Sequence, residues 1–119
     1  MILPPFWDKD ITLYLKTEVN KKVQWERKFF SRCFFKHSTS SQFDDKTRIN
    51  GEIYLARIPC KSPPAITQGC IAVLGNVSDI IPEETSGNEL IKKYDGKAFK
   101  INTININTDY PIPHLRIGN

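Results

Sequence analysis

The sequence predicts a mainly β protein: a small antiparallel β-barrel with one short α-helix, at about residues 82–95, inserted before the last strands. Three observations predict it. Apolar and polar residues alternate with a period of two over several separate runs, the pattern of half-buried strands. The links between most of these runs are of hairpin length and rich in Gly, Pro, Asn and Ser, which favours antiparallel neighbours. One stretch alone, with Leu90, Ile91 and Tyr94, carries an apolar stripe at helical spacing. An antiparallel sheet of this size removes its exposed edges by closing, hence the barrel.

The elements follow in order. Asp10 to Thr17 sets Ile11, Leu13 and Leu15 against Thr12, Tyr14 and Lys16, a strand. Glu18 to Lys22 is a polar hairpin connector. From Val23 a long strand runs to Lys36, and Phe29 to Phe35 puts aromatics on both of its faces. A bulge, or cover on both sides, produces such a run. His37 to Asn50 (HSTSSQFDDKTRIN) reads as a polar loop of about 14 residues, longer than most connections and therefore functional or mobile. Gly51 to Cys60 is a strand with Tyr54, Ala56 and Ile58 on one side and Ile53, Leu55 and Arg57 on the other, ended by Pro59. Cys70 to Leu74 is a short strand closed by Gly75-Asn76.

The helix begins near Pro82, with Glu83 and Glu84 in its first turn, or at Ser86, with Glu89 completing a capping box. Lys92 and Lys93 suit its last turn, and Gly96 follows. Ala98 to Ile106 alternates again, and His114 to Gly118 makes a last short strand after Pro111 and Pro113. The expected order is β-β-β-β-α-β-β. All 119 residues fit one domain, with residues 1–8 as an extended N-terminal segment.

Composition narrows the function. With 39% hydrophobic and 25% charged residues, the chain is neither disordered nor membrane-spanning in character. Its longest apolar stretch, Cys70 to Leu74, falls far short of the roughly 20 residues of a spanning helix. The opening Met1 to Asp10 lacks the basic and apolar regions of a signal peptide, which implies cytoplasmic synthesis and free thiols. The net charge of +4 is mild, but eight of the 17 basic residues fall between Asp8 and Lys36, against four acidic ones. Such an excess attracts a phosphate backbone or an acidic protein surface, and it equally suits the solvated face of two strands.

Motifs for catalysis or cofactors are missing. No phosphate-binding glycine loop, GxSxG or HExxH occurs, so neither an enzymatic activity nor a cofactor is expected. Cys33 and His37 stand roughly 13 Å apart along a strand, against the about 3 Å of a nucleophile–base pair. Cys33, His37, Cys60 and Cys70 match the spacing of no common zinc module, and each cysteine sits in an apolar run where a thiol acts as a small hydrophobe. His114, beside Pro113, is a candidate for a specific contact or a packing histidine.

Two binding surfaces remain. The polar segment with His37, Phe43, Asp44, Asp45, Lys46 and Arg48 is the candidate for protein–protein contact. The alternative is single-stranded nucleic acid on an OB-like barrel, through Trp25, Arg27, Phe29, Arg32, Phe34 and Lys36, where basic and aromatic residues interleave as stacking binders require. The same aromatics equally serve as core.

Several segments together resemble a known group: Asp10-Ile11-Thr12-Leu13-Tyr14, Trp25, Cys33-Phe34-Phe35-Lys36, Ala56-Arg57-Ile58-Pro59, Gln68-Gly69 with Val73-Leu74-Gly75, and Ala98-Phe99-Lys100-Ile101 with Pro113-His114-Leu115-Arg116-Ile117-Gly118. The chain thereby resembles the small minor capsid or head–tail connector proteins, of the head-closure (stopper) type, of tailed phages and prophages of Gram-positive bacteria. Where that group carries a Gly-Asp pair at the position of Gln68, this chain has Gln68-Gly69-Cys70. The resemblance implies a small β-barrel without catalytic residues, assembling as a ring and contacting portal or adaptor and tail components. It further implies a monomer in solution, present in the bacterial cytoplasm before assembly and afterwards in the virion. The 37–50 segment would then reach inward or to an adjacent ring.

Overall fold

The computed structural model describes residues 7–43, 48–82, 87–107 and 111–119, with positions 19, 39–43 and 48–52 described as backbone. Seven strands and one helix follow one another as β1 (Lys9–Val19), β2 (Lys22–Phe43), β3 (Arg48–Pro59), β4 (Ile71–Leu74), α1 (Asn88–Lys93), β5 (Ala98–Lys100), β6 (Thr103–Asn107) and β7 (His114–Gly118). All pairings are antiparallel, in the order β5-β4-β1-β2-β3-β7-β6. The fold is mainly β with one short helix, as expected, and the antiparallel sheet curls into a half-barrel.

Two long segments make the sheet curl. β1 and β2 turn through Asn20 and Lys21, both at positive φ (52° and 64°), as a two-residue mirror-image hairpin turn requires. Further along, Lys9 faces Cys33 while Ile11 faces Phe30, so two residues of β1 oppose three of β2. This bulge, with Arg32 at φ 58°, bends β2. Its first half pairs with β1, and from Phe34 onward it pairs with β3. The aromatic run of β2 is thus a bulged strand, one of the two arrangements its two-sided pattern allows.

Residues 98–107 link the two outer edges of the curled sheet. β5 hydrogen-bonds to β4 and β6 to β7, and the two outermost strands of the order are joined by only Ile101 and Asn102. The Ile101 amide donates to the Cys70 carbonyl (2.7 Å) and the Asn102 amide to the Gly118 carbonyl (2.9 Å). The alternating run at residues 98–106 is therefore two strands, split where the chain passes from one half of the barrel to the other.

The alternation read from the sequence now has two destinations. Ile11, Leu13, Leu15, Cys33, Ala56, Ile58, Phe99, Ile101, Leu115 and Ile117 fill the interior. Tyr14, Ile71, Val73 and Ala98 point outward, where Ile81 and Leu90 cover them and Trp25 packs alongside. β1 and β4 are consequently buried on both faces, which is why Ile71–Leu74 is continuously apolar. Thr12, fully buried between these layers, donates to the Gly75 carbonyl (2.7 Å) and accepts from the Val77 amide (3.2 Å).

The helix is shorter than expected, Asn88–Lys93 instead of about residues 82–95. Gly87, in the left-handed region at φ 76°, immediately precedes it and ends any N-terminal extension. Glu83, Glu84 and Ser86, the expected first-turn and cap residues, lie outside the described residues. Leu90 is buried as its stripe predicts, with Ile91 and Tyr94 packed beside it.

Candidate functional site: a projecting ribbon and a basic outer face

The expected loop at residues 37–50 is largely strand. β2 and β3 pair at ten positions, from Phe34 with Arg57 to Phe43 with Arg48. β1 leaves β2 at Cys33, and β7 covers β3 only from Leu55 to Pro59. From Ser38 opposite Ile53 to Phe43 opposite Arg48, the two strands are thus hydrogen-bonded only to each other among the described residues. Six residues at strand rise make a ribbon of about 20 Å beyond the barrel. The Ser/Thr run 38–41 has no apolar alternation, so sequence periodicity gives no strand signal there; the backbone ladder with β3 forms it.

The six residues proposed for protein contact separate accordingly. Phe43 and Arg48 are the outermost described pair of the ribbon. Asp44, Asp45 and Lys46 lie outside the described residues. His37 stands in β2 at the ribbon's root, half-buried, its ring stacked on Tyr54 at 4.4 Å. Tyr54 in turn stacks on Phe99 at 5.1 Å, so an aromatic column anchors the ribbon to the barrel.

The alternative basic and aromatic set lies on the outside of β2, and only part of it is open. Trp25 is half-buried in the outer apolar layer. Arg27, Phe29, Arg32 and Lys36 are exposed, Phe29 at 42%. Phe34 faces outward between buried Cys33 and inward-packed Phe35, and the Arg57 guanidinium lies over its ring at 5.4 Å.

This contact is one end of a row that crosses four strands in register: Phe34, Arg57, Arg116 and Asn105. Residues directly opposite share a face, and the neighbours Ile58, Leu115 and Ile117 point inward. In the next row His114 lies opposite Asn107. The Ile112 carbonyl can only accept, so His114 Nδ1 donates to it (2.8 Å) and Nε2 accepts from the Asn107 amide (3.2 Å). Trp7, only 5% exposed, meets the His114 ring edge-on at 5.7 Å. A cleft of about 410 Å³ opens here, walled by Trp7, Pro111, Ile112, Arg57 and Arg116. Arg57 and Arg116 were invisible as a pair in the sequence. The alternation of β3 placed Arg57 outward, but no local signal pairs β3 with β7.

A third cluster is structural in its contacts. Asp79 accepts from Lys93 Nζ and from the Tyr94 hydroxyl, both at 2.5 Å, and its carbonyl accepts from the Tyr14 hydroxyl at 2.7 Å. The hydrogen bonds from Lys93 and Tyr94 hold the Asp79 carboxyl below its usual range. Burial, with the Asp79 charge beside it, pushes Tyr14 up to about 12. The group ties the helix to β1.

All three cysteines are free thiols. Burial above all, with the charge of Asp10 adding to it, pushes Cys33 up to about 12, and burial also raises Cys60. Cys33 Sγ donates to the Ser31 carbonyl, and Cys70 Sγ accepts from the Lys16 amide (3.4 Å). Among the described residues, no three His, Cys, Asp or Glu side chains gather as metal ligands, and no helix is long and apolar enough to cross a membrane.

A family model described as a family of unknown function, DUF6751, matches residues 6–119. The chain belongs to the DUF6751 family. No curated protein and no solved structure matches it. The match spans both the ribbon and the four-strand row, so both features fall within the DUF6751 domain itself.

Proposed function

We infer that this DUF6751 chain is a virion structural protein of a tailed phage or prophage, a head-closure component that works by protein–protein contact in the ring between head and tail. The ribbon is the observation that carries this reading. A two-stranded ribbon is at best marginally stable in water, and here six residue pairs extend past every other strand. Unpaired strand edges accept another chain's backbone, so a neighbouring subunit or ring that lies along the ribbon supplies the missing support. The resemblance to connector proteins names the assembly, with portal or adaptor on one side and tail components on the other. The curled half-barrel serves as the rigid body that aims the ribbon.

Mass spectrometry of tailed virions purified after prophage induction should find the protein at the stoichiometry of a ring. Replacing residues 39–52 by Asn-Gly, a two-residue hairpin, should leave the barrel folded and yield filled heads without tails. Absence of the protein from virions, or complete virions with the shortened chain, would overturn the proposal.

A further inference from the structure

We propose that Arg57 and Arg116 form a seat for a phosphate group, and that the adjoining cleft takes the organic part of the molecule that carries it. The inference is independent of the assembly role above. Arg57 and Arg116 are direct cross-strand partners with outward side chains. Like charges directly opposite destabilise a sheet. Neither forms an ion pair with a described residue: the ion pairs among these are Lys9 with Asp8 and Lys93 with Asp79. An anion held between the two would offset this like charge.

The surroundings suit a phosphate better than diffuse charge. Neighbouring strands run about 4.8 Å apart, which lets two planar guanidinium forks face one tetrahedral oxyanion. Phe34 supports Arg57 from below, which limits the rotamers that guanidinium loses on binding. Asn105, exposed and in register beyond Arg116, adds an amide donor to the row. Lys36 and Arg32 extend the positive field along the outside of β2. The cleft of 410 Å³ beside the two arginines is walled by Trp7, Pro111 and Ile112, an apolar lining for a base or similar ring. The phosphate belongs either to a free nucleotide or to a nucleic-acid backbone, and the two sources share this chemistry.

The test is a titration of the full chain with inorganic phosphate, thymidine monophosphate and a fluorescent twelve-nucleotide oligothymidylate, at low and moderate salt. Saturable binding that Arg57→Gln and Arg116→Gln each weaken at least about tenfold supports the seat, an Arg–phosphate contact being a strong charge-assisted bond. For the oligonucleotide each variant should also lower the salt slope by about one. Arg116→Gln should not lower the thermal midpoint, because it removes one of two like charges in register, whereas Arg57→Gln also gives up its contact with Phe34 and is judged on binding. Lys92→Gln, on the helix, should bind as the unaltered chain does. Equal affinity for the mononucleotide and the oligonucleotide identifies a free nucleotide; preference for the oligonucleotide identifies a backbone. No binding at low salt, or binding indifferent to both glutamine variants, overturns the proposal. So does an Arg116→Lys variant that binds as tightly as the unaltered chain, since charge alone would then suffice.

Discussion

Gly87 lies so close to Ile71 that a methyl group on its α-carbon would overlap the Ile71 Cδ1 atom. The same hypothetical methyl would stand 3.4 Å from Ile81 and 3.7 Å from Trp25. Gly87 also holds a positive φ, so the start of α1 depends on it for both space and backbone conformation.

Gly87→Ala should therefore be costly. A left-handed non-glycine residue costs about 1–2 kcal/mol, and overpacking a core adds about 1–3 kcal/mol. Urea unfolding should show a loss of about 2–5 kcal/mol, with the denaturant slope unchanged. A loss under about 0.5 kcal/mol would mean that the helix does not seat on Ile71 as described.

The β1–β2 turn predicts the opposite sign. Asn20 suits a positive φ, but Lys21 at φ 64° is strained where Asn-Gly is the favoured pair. Lys21→Gly removes this strain while giving the unfolded chain more freedom. A net gain of about 0.5–1 kcal/mol is expected from thermal unfolding. A loss of stability would show that the turn is not of this type.

Alkaline pH should unfold the protein through Cys33 and Tyr14. Their folded values are both raised to about 12, from ordinary values of 9.0 and 10.0. In the unfolded chain each loses its proton first, so the folded state binds more protons and stability falls as pH rises. The contribution is fully present below about pH 9 and is lost progressively between pH 9 and 12. Denaturant midpoints taken at pH 8, 9, 10 and 11 should fall. The fall should be shallower in Cys33→Ala, and Tyr14→Phe should flatten the part above pH 10. Parallel slopes in all three proteins would refute the assignment.

The sequence revealed the fold unevenly, and for physical reasons. Where one face of a strand is buried, as with Ile11, Leu13 and Leu15, burial writes itself into the pattern. The bulge near Arg32 was readable because it put aromatics on both faces of β2. The ribbon was not, since only backbone pairing holds residues 38–43 as strand. The break at Ile101–Asn102 was hidden too, because alternation continues through the change of partner strand. The candidate phosphate seat was the least legible feature. It exists only where β3 meets β7, and no window of the chain contains both arginines.

Residues 98–107 bear also on when this chain can finish folding. β6 needs β7, made of residues 114–118, and Trp7 needs His114. Until residues 114–118 have paired with β3 and β6, the chain is therefore an open sheet with bare strand edges. Contacts this distant in sequence slow folding. Bare edges meanwhile invite pairing between partly folded copies. Loss of even the last five-residue strand would leave every copy in that unlatched state.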